Sequence, residues 1–181
     1  MSGGLLGTKA EVLLSSPVWK LALYGHILIG SIALMIGWLQ FSTRLRLKHV
    51  KLHRGLGKTY IMAVLFSGIS ALYLSFFATG GWIASLGFGS LAVFWVYSTI
   101  NALLSIRKGR LECHRNWMFR SYALTFAAVT LRIWLPLLTG AFSMEFVQAY
   151  VIIAWLCWVP NWIFAEIYIR KYPPQFQLKR T

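Results

Sequence analysis

The sequence contains no aspartate and only four glutamates, against 18 lysines and arginines, in 181 residues. Without aspartate there is no Ser/His/Asp set and little of the acidic chemistry that phosphoryl transfer draws on. No phosphate-cradling glycine loop and no zinc-ligand spacing occur either. Hydrolytic and kinase activities are therefore not expected. A single carboxylate inside an apolar run, Glu166, leaves ion-coupled transport without most of its usual parts. Cysteine is scarce: Cys113 sits in a basic stretch and Cys157 deep in an apolar run, so no disulfide is expected. Charge of either sign is low, at 12% of residues, while hydrophobic residues reach 58%. A soluble domain carries about 25% charged residues. The composition excludes an ordinary soluble domain and a disordered chain, and leaves a membrane-embedded protein.

The basic residues fall in short clusters between long apolar runs, which is a pattern of membrane topology rather than of a nucleic-acid surface. Five runs approach or exceed the roughly 20 residues needed to cross a hydrocarbon core. They are Val18–Phe41, Thr59–Ala78, Trp82–Ile106, Trp117–Leu138 and Phe146–Ile169. Helices are expected, because backbone exposed to lipid must bond within itself. The fold class is thus an all-α integral membrane bundle of about five transmembrane helices. Residues 1–17 form an N-terminal segment that suits the membrane surface, 18–169 the bundle, and 170–181 a basic tail. The first run starts late and has no small-residue cleavage site, unlike a signal peptide.

Three basic clusters share one side of a five-span chain: Arg44 to Lys58, Arg107 to Arg115, and the tail from Arg170. The opposite side offers Lys9 and Lys20. By the positive-inside rule the C-terminus faces the cytoplasm and the N-terminus the outside of a cell (inner) membrane. The basic loops also suit anionic lipid on the cytoplasmic side.

The candidate functional residues are histidines and charges at membrane depth. Helical spacing from His26 gives Gly30, Ala33, Gly37 and Gln40, a smooth stripe for close helix packing or for a planar cofactor. His53 precedes the second span and His114 the fourth, at one level, whereas His26 lies roughly 20 Å away from that inner boundary. His49 reads as a solvated loop residue. From His53 the face is Gly57, Tyr60, Val64, Ser67 and Ala71; from His114 it is Met118, Ser121, Thr125, Ala128 and Arg132. Ser90, Tyr97, Asn101 and Ser105 make a partly polar face on the third span, and together these faces suggest a polar interior. Arg120 and Glu166 each lie about one turn inside the inner ends of antiparallel spans, so an ion pair is expected. Arg132 lies towards the outer side, with Glu145 the nearest acid in sequence. Both arginines read as structural pairs or as clamps for a carboxylate, propionate or phosphate. Pro160 should free a carbonyl one turn earlier in the fifth span, with Asn161 placed to satisfy it.

Several segments carry a family pattern: His53-Arg54-x-x-Gly57-Lys58-x-Tyr60, His114-Arg115-Asn116-Trp117-Met118-x-Arg120-Ser121-Tyr122, Thr130-Leu131-Arg132-x-Trp134-Leu135-Pro136 and Trp155-x-x-Trp158-Val159-Pro160-Asn161 followed by Glu166. From about Leu21 to Glu166 the chain resembles the bacterial membrane family catalogued as domain of unknown function 2306, which implies a multi-span helical fold. The His-Arg-x-x-Gly segment is similar to transmembrane b-type cytochromes of the ferric and ascorbate reductase superfamily. That resemblance implies one haem b on His53 and His114 as metal ligands, with Arg54, Arg115 or Arg120 at the propionates. His26 then lacks a histidine partner, unlike the two-haem pattern.

Two functional expectations follow. One is a haem-free protein: an accessory or assembly subunit with membrane-protein partners, or a binder of lipid or quinone. The other is a b-type haem redox protein with its haem near the cytoplasmic side.

Overall fold

The structure, a computed structural model, describes residues 11–172. Most of the proposed surface segment, with Lys9, and the tail cations Lys179 and Arg180 lie outside the described residues. Among the described residues every regular element is helical.

A short helix, α1 (Glu11–Ser15), leads into α2 (Pro17–Gly37). Ser16 marks the boundary because its hydroxyl accepts the Trp19 N–H at 3.4 Å and Pro17 supplies a first turn that needs no N–H partner. A 3-10 turn (Trp38–Phe41) extends α2, and α3 (Thr43–Lys48) follows, capped by the Ser42 hydroxyl on Leu45 N–H. The second span is α4 (Val50–Ser75) and the third is α5 (Gly81–Arg107). Gly80 and Gly81 join them with φ of +96° and +74°, values that a side chain rarely adopts. The fourth span is built from two pieces, α6 (Leu111–Thr125) and α7 (Ala127–Pro136), the latter ending in a π turn at Leu137–Ala141. The fifth is also broken, into α8 (Phe146–Leu156) and α9 (Val159–Lys171). Five helical stretches of 25 to 31 residues are thus long and apolar enough to cross a membrane.

The stretch Ser42–Lys58, read from sequence as a basic loop, is mostly helical: it forms α3 and the first turns of α4. Lysine, arginine and leucine are good helix formers, and α4 runs through Gly55 and Gly57 without a break. Gly57 is where Gln40 lies across the helix, its Oε1 only 3.3 Å from where a Cβ would stand. His49 stands at the start of α4, makes no side-chain cap and is exposed.

Helix α2 packs on α4, α4 on α5, and α5 on both α6 and α8, while α9 lies against α6. Small residues set these distances. A Cβ on Gly37 would meet the Tyr122 ring at 2.5 Å and the Tyr60 ring at 2.9 Å. A Cβ on Gly87 would meet the Ala154 carbonyl oxygen at 2.8 Å. The second obstacle is backbone and cannot swing aside, so Gly87→Ala must push α5 from α8. We expect it to cost about 1–3 kcal/mol in SDS-titrated unfolding, while Gly25→Ala, with nothing within 4 Å of its new methyl, should be neutral.

Candidate functional site

The centre of the bundle is polar and closed. Tyr60 from α4, Trp95 and Thr99 from α5, and Ser121 and Thr125 from α6 form one hydrogen-bonded set, all buried. Tyr60 Oη lies 2.8 Å from both Ser121 Oγ and Thr125 Oγ1, Trp95 Nε1 donates to Thr125 Oγ1 at 2.8 Å, and Thr99 Oγ1 is 2.7 Å from Ser121 Oγ. Thr99 also donates to the Trp95 carbonyl at 2.9 Å and Thr125 to the Ser121 carbonyl at 3.0 Å, so four hydroxyl protons are shared among five contacts and all are engaged inside the set. The spacing i, i+4 puts each pair on one helix face.

On the third span the buried polar residues are Ser98 and Thr99, not the expected Tyr97 face; Tyr97 is exposed. Asn101 bonds the carbonyl of Tyr97 at 2.8 Å within its own turn, and the Tyr97 ring meets the edge of Trp117 with centroids 5.6 Å apart.

The His26 stripe is a packing face. Ser67 Oγ is 2.9 Å from His26 Nδ1 and donates to the His26 carbonyl at 3.1 Å, and His26 Nδ1 lies 3.1 Å from the Ser67 carbonyl. Gly30 makes room for Ser67, whose Oγ stands 2.9 Å from the missing Cβ. With Nδ1 so engaged, Nε2 is the ring nitrogen left for a ligand.

The basic end, where α3, the start of α4, the α5–α6 turn and the end of α9 meet, holds the other two histidines. His114 Nδ1 is 2.8 Å from the Ala102 carbonyl, to which only an N–H can donate, so Nε2 is its free acceptor. His53 Nδ1 and Gln40 Nε2 are buried without a hydrogen-bond partner. His53 lies within electrostatic reach of His114, Arg46 and Arg54. Arg54 and Arg115 are exposed. Arg120 and Glu166 form a two-pronged pair, Nε to Oε1 at 2.5 Å and Nη2 to Oε2 at 3.0 Å, with the guanidinium 4.6 Å over the Trp117 ring.

Where the fifth span breaks, the carbonyl left over is that of Cys157. It accepts from Asn161 Nδ2 at 3.0 Å and from Thr130 Oγ1 at 2.5 Å, and Asn161 also bonds Thr130. Asn161 thus serves the break as its position suggests, joined by a residue of the neighbouring span that sequence spacing does not single out.

The two broken spans wall a cavity of about 1110 Å³ in the half of the bundle away from the basic end. Its walls come from α2, the ends of α4 and α5, α6–α7 and α8; its floor includes Trp95 and Thr125 of the closed network. The lining is mainly apolar, and two sequence candidates enter it: His26 and Arg132. Each stands nine residues from its helical end, Pro17 and Ala141 respectively, so both lie roughly 14 Å along the helix from the same end of the bundle. Arg132 is not paired with Glu145. Its Nη1 donates to the Ala128 carbonyl at 2.6 Å, and no carboxylate among the described residues lies within salt-bridge distance of it. His53 and His114 do not line this cavity. Its lining is drawn from all five spans at once, so no single helical face announces it.

No curated protein and no solved structure matches the chain. A family model described as "Predicted membrane protein" covers residues 23–169, from the first span to the end of the fifth. The chain therefore belongs to that multi-pass membrane family, DUF2306.

Proposed function

We propose that the protein binds a lipophilic molecule of the quinone or lipid class in this cavity. With the basic end cytoplasmic, as the positive-inside rule expects, the site lies in the outer half of a cell membrane. The observation that carries the reading is the coincidence of a roomy apolar chamber with one imidazole and one arginine that has no acid partner among the described residues. Ligand sites have this make-up, an apolar lining with a few convergent polar groups. An arginine at this depth is costly and calls for a partner. The closed network at the floor supplies rigidity without offering protons to the chamber.

The test fills the space. Ala128 lines the cavity, and Ala128→Phe should occupy it. Protein purified in mild detergent, extracted and examined by mass spectrometry should carry a bound lipophile that the variant loses. If neither protein carries one, and added quinones or lipids leave the melting temperature unchanged, the reading fails.

A second reading, haem b at the basic end, draws on one observation: His114 Nδ1 is held by the Ala102 carbonyl, which leaves Nε2 directed as in metal-ligating histidines. His53 keeps Nδ1 without a partner, so each ring has a nitrogen to offer, and a haem there would supply one-electron chemistry. We rank it second because the large cavity lies at the other end. It requires a Soret band, with expression in ample haem, that His114→Ala abolishes. Absence of the band overturns it.

A further inference from the structure

We infer that the ligand is an acidic amphiphile that enters sideways from the bilayer and sets its anionic head on Arg132; the inference rests on the lipophile-binding reading above. Three observations combine.

The first is charge. Arg132 spends one N–H on Ala128 at 2.6 Å, and a guanidinium has five. The remaining fork faces no acid among the described residues and lines the cavity. A planar fork of donors is matched by a carboxylate or a phosphate oxygen pair. A neutral head satisfies hydrogen bonds but leaves the charge uncompensated in a site with few polar groups.

The second is the mouth. The large apolar side chains of the cavity lining that are also well exposed are Ile27 at 42% and Met35 at 72% on α2 and Ile133 at 57% on α7, with Ser31, Pro136 and Arg132 itself exposed beside them. Helix α2 is tied to α6 lower down, where Tyr122 Oη donates to the Leu34 carbonyl at 3.3 Å and its ring fills the notch at Gly37. Beside that tie at Met35, and above it at Ile27 and Ile133, the cavity lining of α2 and α7 reaches the surface. An opening rimmed by isoleucine and methionine at membrane depth meets acyl chains, not water.

The third is depth. Arg132 lies roughly 14 Å from its helix end, below the level at which phospholipid phosphates sit in a bilayer whose hydrocarbon is about 30 Å thick. A single-tailed carboxylate reaches that level more readily than a phospholipid head.

The experiment is ligand titration by native mass spectrometry of the full-length protein, with oleate, oleyl alcohol and dioleoyl phosphatidic acid as probes. Oleate should bind about 10- to 100-fold more tightly than oleyl alcohol, the range that one to two lost charge-assisted bonds convert to. Arg132→Gln should remove that preference while keeping alcohol binding, and Arg132→Lys, with the charge but not the fork, should fall between. Because Arg132 is exposed to the chamber, the variants should fold, which their melting curves check. Phosphatidic acid binding in place of oleate, with the same Arg132 dependence, supports the acidic head and assigns it to a phospholipid. Equal affinity for oleate and oleyl alcohol overturns the inference and leaves the lipophile-binding reading standing. No binding of any probe to the unaltered protein, or binding that Ala128→Phe leaves unchanged, overturns both.

Discussion

Tyr60→Ala should be the most destabilising single substitution considered in this protein, at about 3–5 kcal/mol. Tyr60 has no exposed surface, and its ring packs where α2 approaches at Gly37. Its removal leaves a void among three spans and strips Ser121 and Thr125 of their shared partner. Inside a membrane there is no hydrophobic gain from driving helices together, so packing and interhelical hydrogen bonds carry the association. Tyr60→Phe separates the two contributions. It keeps the volume and deletes one hydroxyl, so that Ser121 and Thr125 each lose one hydrogen-bond partner. We expect about 1–2 kcal/mol for it. SDS-titrated unfolding, followed by circular dichroism, measures both. A Tyr60→Phe cost equal to that of Tyr60→Ala would show the hydrogen bonds dominating; no measurable cost for either would contradict the packing described here.

The second large effect is expected at Arg120–Glu166. Glu166→Leu removes the carboxylate and strands a guanidinium that keeps only its stacking on Trp117. The side chains are 18% and 25% exposed, so water at the basic end screens part of the loss. A cost of about 2–3 kcal/mol is the reasonable size for a partly buried, two-pronged pair deprived of one member. The double variant Arg120→Leu/Glu166→Leu should recover much of it, since no orphaned charge remains. The double-mutant cycle gives the coupling directly: additive single costs would mean that the pair holds α6 and α9 together by packing alone.

The five spans are legible in sequence because each apolar run is long enough to cross and is closed by charge or glycine. The Arg120–Glu166 pair is legible for a related reason: antiparallel neighbours that start at one level bring residues one turn from their ends to the same depth. The breaks are another matter. Pro160 marks the one in the fifth span, but nothing of the kind stands at Phe126, between α6 and α7. There Val129 and Thr130 N–H both reach the Phe126 carbonyl, and the chain shifts without a proline or a glycine. The polar core was half legible: Ser121 and Thr125 lie on the stripe counted from His114, whereas the Trp95 and Thr99 contribution is hidden by Tyr97 and Asn101, polar residues on another face of the same helix. The cavity was not legible at all, because it arises where α2 parts from α7 above the Tyr122 tie, a relation between elements distant in the chain. Arg132, a suspect by its depth alone, acquires a context only there.

The central claim is that this chamber holds a lipophile, and photo-crosslinking in membranes tests it most directly. A diazirine-bearing fatty acid, activated after equilibration and mapped by peptide mass spectrometry, should label the chamber walls on Trp19–Met35 and Ala127–Thr139. Excess unlabelled oleate should suppress those adducts, and Ala128→Phe should abolish them. Labelling spread evenly over outward-facing residues such as Phe66, Ile69 and Phe164, unaffected by competitor or by Ala128→Phe, would contradict the claim.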